Sequence, residues 1–207
     1  MVVDSQSASH TLKNLVAVPA IPIWRLSVDQ YHRMIRAGIL TDDDPVELLE
    51  GWLVPKMPKN PPDRLSTQLT RGALARLLPA GWYVDDQEPI TIEDSEPEPD
   101  VVVVRGERRD YPDRHSGAQD VELVIEVSDT TLQRDRTLKK ALYARSGIPV
   151  YWIINLSENQ IEIYTEPSST ADQADYQRRQ AYSMTDAVPL LIEGHGVGRM
   201  VVRELLP

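Results

Sequence analysis

The chain has 207 residues, 41% of them hydrophobic, and a formal net charge of −10, enough for one domain with a sizeable core. It contains no Cys, which excludes disulfides, thiolate zinc sites and a cysteine nucleophile and suits a reducing cytoplasm. The acidic balance argues against a protein that coats nucleic acid non-specifically. No run approaches the roughly 20 apolar residues that span a bilayer, and the N-terminus has no basic segment followed by an apolar one. A cytoplasmic protein without membrane association is the expectation.

Residues 1–24 are polar and aperiodic and are expected to form a flexible arm. The remainder, 25–207, is expected to be a single domain of the α/β (α+β) class. Ser27-Val28-Asp29-Gln30 fits a capping box and predicts a helix to Ala37, with Gly38 just beyond its end. Residues 46–55 read as a hairpin turning at Glu50-Gly51, and the Pro-rich stretch 55–62 as a loop. A helix is expected over 63–78, stopped by Pro79-Ala80-Gly81. Strands are expected at 82–91, 100–105 and 121–127, followed by a helix over 132–146. Residues 150–155 and 160–165 read as paired strands around Glu158-Asn159. The polar stretch 166–180 reads as a loop, and 180–206 as two or three short strands. No internal repeat is present.

Two carboxylates stand out. Glu126 lies inside the apolar run Val121-Glu122-Leu123-Val124-Ile125-Glu126-Val127, and Asp100 opens Val101-Val102-Val103-Val104. Such runs suit central strands covered on both faces. An unpaired carboxylate there costs several kcal/mol, so a partner cation is expected. Two acids on two core strands suggest a metal site.

The helix over 132–146 offers the second half of a site. With Lys139 at zero on a helical wheel, Leu132 and Tyr143 lie within about 40° of it, and Asp135 at about −40°. Lys139 therefore points into the apolar stripe with Asp135, whereas Arg134, Lys140 and Arg145 flank it or face solvent. The strand carboxylates are candidate partners. Pairing with Asp135 one turn earlier is the alternative, and for Glu126 a structural salt bridge is as good a reading as a functional one. Residues 130–147 set five cations against one acid, a local charge of +4.

Other signals carry less. Gly194-His195-Gly196-Val197-Gly198 reads as a turn between strands, because no helix pattern follows it. The four histidines are scattered without metal-ligand spacing, and no nucleophile elbow surrounds Ser128. Trp24, Trp52, Trp82 and Trp152 are expected to pack the core of a chain that has no Phe.

Assembled, these residues resemble the PD-(D/E)xK nuclease superfamily, and more closely the Uma-two family, labelled as restriction endonucleases. The resemblance rests on Glu47-Leu48-Leu49-Glu50-Gly51, Pro99-Asp100-Val101-Val102, Glu122 to Ser128, Asp135-Arg136-Thr137-Leu138-Lys139, and Tyr143 to Trp152. It covers about residues 25–207. It implies a restriction-endonuclease-like mixed β-sheet flanked by helices. It further implies that Asp100 and Glu126 bind Mg²⁺ or Mn²⁺ with the Val127 carbonyl, that Lys139 stands in for the superfamily lysine, and that Glu47 approaches the metal. Asp135 and Tyr143 are further candidates, and Arg136 and Lys140 candidate contacts to DNA phosphates. The chain departs from the pattern at Ser128, where the superfamily lysine normally stands, and at Asp63 or Arg64, where many relatives carry a His. The implied activity is metal-dependent hydrolysis of DNA phosphodiester bonds, by a homodimer if both strands are cut. The alternatives are a non-catalytic nucleic-acid or protein binding module on the nuclease fold, or a buried ion cluster alone.

Overall fold

The computed structural model describes residues 23–41, 43–170 and 173–207. All but the last two residues of the expected N-terminal arm lie outside them. In chain order come α1 (Val28–Arg36), β1 (Val46–Leu49), β2 (Trp52–Pro55), α2 (Pro61–Leu77), β3 (Trp82–Asp85), β4 (Ile90–Thr91), β5 (Val101–Arg105), β6 (Ser116–Gly117) and β7 (Val121–Ser128). A helical run follows, made of α3 (Leu132–Arg134), a π-helical turn (Asp135–Lys139) and α4 (Lys140–Arg145). Then come β8 (Val150–Asn155), β9 (Gln160–Thr170), β10 (Gln173–Ser183), β11 (Ala187–Ile192) and β12 (His195–Val201).

Six strands form one mixed sheet in the order β10-β9-β8-β7-β5-β3. Within this sheet, among the described residues, only β7 and β8 run parallel, and the helical run 132–145 is the crossover a parallel pair requires. The β-branched residues of β5 and β7 place them in the middle. Every residue of β7 is buried, as are Val101 to Val104. Period-2 alternation splits them between two cores. Val101, Val103, Leu123, Ile125 and Trp152 pack with Leu74 of α2 and Leu190 of β11. On the opposite face, Val102, Val104, Val124, Tyr151 and Ile153 pack with Tyr143 and Ala144 of α4.

Local chemistry explains the boundaries. Ser27 Oγ accepts from the Gln30 N–H and the Gln30 side chain from the Ser27 N–H, which starts α1. The β1–β2 turn has φ of 50° at Glu50 and 79° at Gly51, a two-residue turn matched to strand twist. Helix α2 begins two residues earlier than expected, because Pro61 and Pro62 fit a first turn whose N–H groups need no partner. Between β11 and β12, Glu193 and Gly194 form a turn with φ of 50° and 75°; of the glycine pattern expected as the turn only Gly194 lies in it, and His195 to Gly198 belong to β12.

Three expectations fail. The strand expected over 82–91 stops at Asp85, and Ile90–Thr91 pairs with β6 outside the six-stranded sheet. Residues 166–180 are mostly strand, since β9 and β10 form a long antiparallel hairpin at the sheet edge. Its outer part is polar, with charges at Glu166, Asp175, Arg178 and Arg179, as suits an edge that must not recruit further strands, and that polarity disguised it as a loop. Among the tryptophans only Trp152 is fully buried; Trp24 is 77% exposed. Tyrosines supply the missing volume. Tyr151 stacks on Tyr164 and Tyr176 at 5.8 and 6.2 Å.

Glu162 of β9 is wholly buried within that sheet face. It accepts from Arg136 Nε at 3.0 Å, Arg179 Nε at 3.3 Å, Tyr164 Oη at 2.5 Å and Asn155 Nδ2 at 3.3 Å. Burial alone would raise its pKa; Arg136 first, then Tyr164, Arg179 and Asn155, override that and hold it at about 2 instead of 4.5. A depressed carboxyl contributes stability that is complete above the unfolded pKa and is lost as pH falls toward the folded one. Glu162→Gln should therefore cost about 2 kcal/mol near neutrality and flatten the loss of stability between pH 4.5 and about 2. Urea unfolding at pH 7, 4 and 3 measures both; an unchanged acid limb would assign it to other carboxylates.

Candidate active site

The register of two central strands brings the acids together. Val101 pairs with Ile125 across the antiparallel β5–β7 ladder. One step further, Asp100 and Glu126 stand opposite one another on the face that carries Val102 and Val124. Asp100 is 4% exposed and Glu126 also 4%. Asp100 Oδ2 accepts from the Val127 N–H at 2.7 Å, which fixes the carboxylate against the end of β7.

The helical run closes over this point. Lys139 is 3% exposed, and its Nζ donates to Glu126 Oε1 at 2.9 Å and lies 3.5 Å from Glu47 Oε2. Burial would lower its pKa, but the Glu126 and Glu47 carboxylates outweigh burial and keep it charged. Tyr143, one turn later, donates its hydroxyl to the same Glu126 oxygen at 2.7 Å. Burial, reinforced by Glu126, pushes the Tyr143 phenol well above its ordinary range, so it remains a neutral donor. Burial also raises the Glu126 carboxyl, against the pull of Lys139. The π-helical turn ending at Lys139 is a widening of a kind concentrated at functional sites.

Glu47 arrives from β1. Its Oε2 also accepts from the Glu98 N–H at 3.2 Å, and the Leu48–Glu96 bridge ties β1 to the strand entering Asp100. Asp135 sits one turn before Lys139, 1% exposed. Its Oδ2 accepts from Ser128 Oγ at 2.7 Å and Thr131 Oγ1 at 2.6 Å. Ser128, at the superfamily lysine's position, thus anchors the helix that delivers Lys139.

These groups line one cleft of about 540 Å³. Among the described residues, eight carboxylates and five cationic side chains border it, and no histidine. Oxygen-only donors suit hard divalent cations. Asp63 Oδ1 and Asp135 Oδ1 are buried along it with no hydrogen-bond partner, so acceptor capacity remains. Among the described residues no three acids or histidines converge tightly enough to enclose a cation as they stand; ammonium groups stand between them. The donor set fits a divalent cation.

The structure does not bring every candidate here. Arg136 is committed to Glu162 and Glu158. Lys140 pairs with Asp175 of β10 and lies over the Tyr164 ring. Neither lines the cleft. Arg145 is held by Glu50 and Asp94, so the +4 segment is largely neutralised by acids of other elements. Arg134 does border the cleft, as does Arg64 at the start of α2. Sequence reasoning missed Lys59, whose ammonium contacts Asp100 Oδ1. Its only sequence signal was a second lysine, after Lys56, in the loop before α2. For Val127, the structure gives the N–H bond to Asp100 and a place in the cleft wall.

No curated protein matches the chain. A crystal structure from Anabaena variabilis ATCC 29413, described as that of a "putative nuclease", superposes with a TM-score of 0.65 at 14% identity, over 87% of this chain and 97% of that one. The two share a fold. E. coli MS115-1 NucC in its apo form overlaps with a TM-score of 0.30 at 16% identity, over 55% of this chain and 49% of that one. The profile of the Uma2 family, described as "Putative restriction endonuclease", matches residues 28–196, and the chain belongs to that family.

Proposed function

We propose that residues 25–207 form one nuclease-like domain that hydrolyses DNA phosphodiester bonds in this cleft, as a Mg²⁺- or Mn²⁺-dependent endonuclease. The observation that carries the proposal is the lining of one cleft by Asp100, Glu126, Glu47 and Lys139, with the Lys139 ammonium between the two glutamates. The family's description and the nuclease name of the Anabaena protein support the same reading.

On this reading Asp100 and Glu126, with the Val127 main-chain carbonyl, hold the cation, and Glu47 flanks it. Bound there, it would polarise the phosphodiester and acidify a water. The chain's own residues do the rest. Lys139, held charged between two carboxylates, offsets the negative charge that develops on the phosphoryl oxygens. Because its ammonium is already desolvated and fixed, little reorganisation is needed when that charge appears. Tyr143 holds Glu126 in orientation, and Ser128 and Thr131 hold Asp135 and so the turn that presents Lys139. Arg64 and Arg134 replace Arg136 and Lys140 as the cations placed to meet the DNA backbone. A break in both strands requires two such clefts, which favours a homodimer.

Incubation of supercoiled plasmid with Mg²⁺ or Mn²⁺ should give nicked and linear products, none in EDTA and none with Glu126→Ala of wild-type circular dichroism. Metal-independent cleavage, or full activity in that variant, would refute the site. Binding of DNA by folded protein without turnover would favour a non-catalytic binding module. Tyr143→Phe removes only the hydroxyl that orients Glu126, and should lower cleavage or cation affinity by about 10- to 100-fold. Wild-type rates and affinity in that variant would strip Tyr143 of any orienting role.

A further inference from the structure

The two lysines on the acids are held very differently. Lys139 rides on a buried helix and is 3% exposed, with a carboxylate on each side. Lys59 belongs to the loop between β2 and α2, its side chain 27% exposed. Its ammonium meets a single carboxylate, Asp100. A cation held by one carboxylate at the open side of the cleft is more readily displaced than one buried between two.

Both oxygens of Asp100 are already engaged. Oδ2 takes the Val127 N–H and Oδ1 takes Lys59. The main-chain bond belongs to the strand end and cannot leave without disturbing β7. The oxygen whose present partner can leave in favour of a cation is therefore Oδ1, the one that Lys59 holds. We propose that Lys59 is an exchangeable internal counter-ion, which competes with the divalent cation for Asp100 Oδ1 and must be displaced before the cation is held. The proposal rests on Asp100 being a cation ligand. It adds that cation affinity is set by a lysine outside the family's motif residues, and by how readily its loop lets go.

Calorimetric titration with MnCl₂ tests this without reference to cleavage. Four proteins are compared: wild type, Lys59→Met, Lys59→Arg and Lys56→Met. Lys56 borders the same cleft but pairs with Glu98, so its loss changes the cleft's charge equally without freeing Asp100. Lys59→Met should bind Mn²⁺ more tightly by on the order of tenfold, the usual scale of a coupling between two ligands. Lys59→Arg should stay near wild type and Lys56→Met change far less than Lys59→Met. Equal tightening in the two methionine variants would reduce the effect to general electrostatics and overturn the proposal. So would unchanged or weaker binding in a Lys59→Met protein whose circular dichroism matches wild type. Should neither wild type nor Lys59→Met bind Mn²⁺, the reading of Asp100 as a ligand fails and takes the proposal with it; binding by both with equal affinity refutes the role of Lys59 alone.

Discussion

One constraint organises the molecule: a carboxylate, Glu126, inside a strand buried on both faces. Desolvation would force it to neutralise or to find a cation. The fold supplies that cation from the next element in the chain. The crossover that joins parallel β7 to β8 has to pass over the sheet, and its helix carries Lys139 and Tyr143 onto the same Glu126 oxygen. The same crossover brings Asp135 back against Ser128, the last residue of β7. Sheet connectivity and site assembly are therefore one requirement. A helix that failed to dock would leave Glu126 unpaired, and a Glu126 without its charge would leave Lys139 with Glu47 alone.

Two strands away, in the same row of that sheet face, the same problem is solved differently. Glu162 is also buried on a core strand, but its partners Arg136 and Arg179 reach in from half-open positions. Those planar guanidinium groups, with Tyr164 and Asn155, saturate it. Its carboxyl is held far below the ordinary range, whereas that of Glu126 is pushed up. Two buried glutamates on one face thus differ in what they can still do. A saturated carboxylate contributes stability; one with a single ammonium and a phenol keeps lone pairs for another ligand.

This difference marks what could be read from the sequence. The inward aim of Lys139 and Asp135 was legible because helical period is local, and the burial of Glu126 and Asp100 because strand runs are local too. Glu47 required the resemblance, since nothing in a four-residue strand announces a site. The cations that fall outside the cleft share one cause. Arg136 and Lys140 lie 26 and 35 residues from their partners Glu162 and Asp175, and Asp175 sits in the stretch whose polarity hid a strand. Lys59 lies 41 residues from Asp100. Charge counted along the chain measured +4 for a segment whose side chains are spent on acids brought in by the sheet. Period is written in the sequence; pairing across the sheet is written only in the topology.

The acidity of the cleft then acquires a meaning on the proposed reading. With eight carboxylates against five cations, and a chain of net charge −10, a phosphodiester meets repulsion on approach. A bound divalent cation offsets most of that excess negative charge, so cation and DNA favour one another's binding, and by linkage the preference is mutual. Lys59 works against both while it sits on Asp100, because its charge is spent on a carboxylate. Once released, it is a cation in the cleft with no anion of its own. Loading the cation would thus help DNA in two ways, by the ion's own charge and by leaving the Lys59 ammonium no longer paired with Asp100. The closed cleft would discriminate against unproductive DNA binding through the exchange of one salt bridge, without a domain motion.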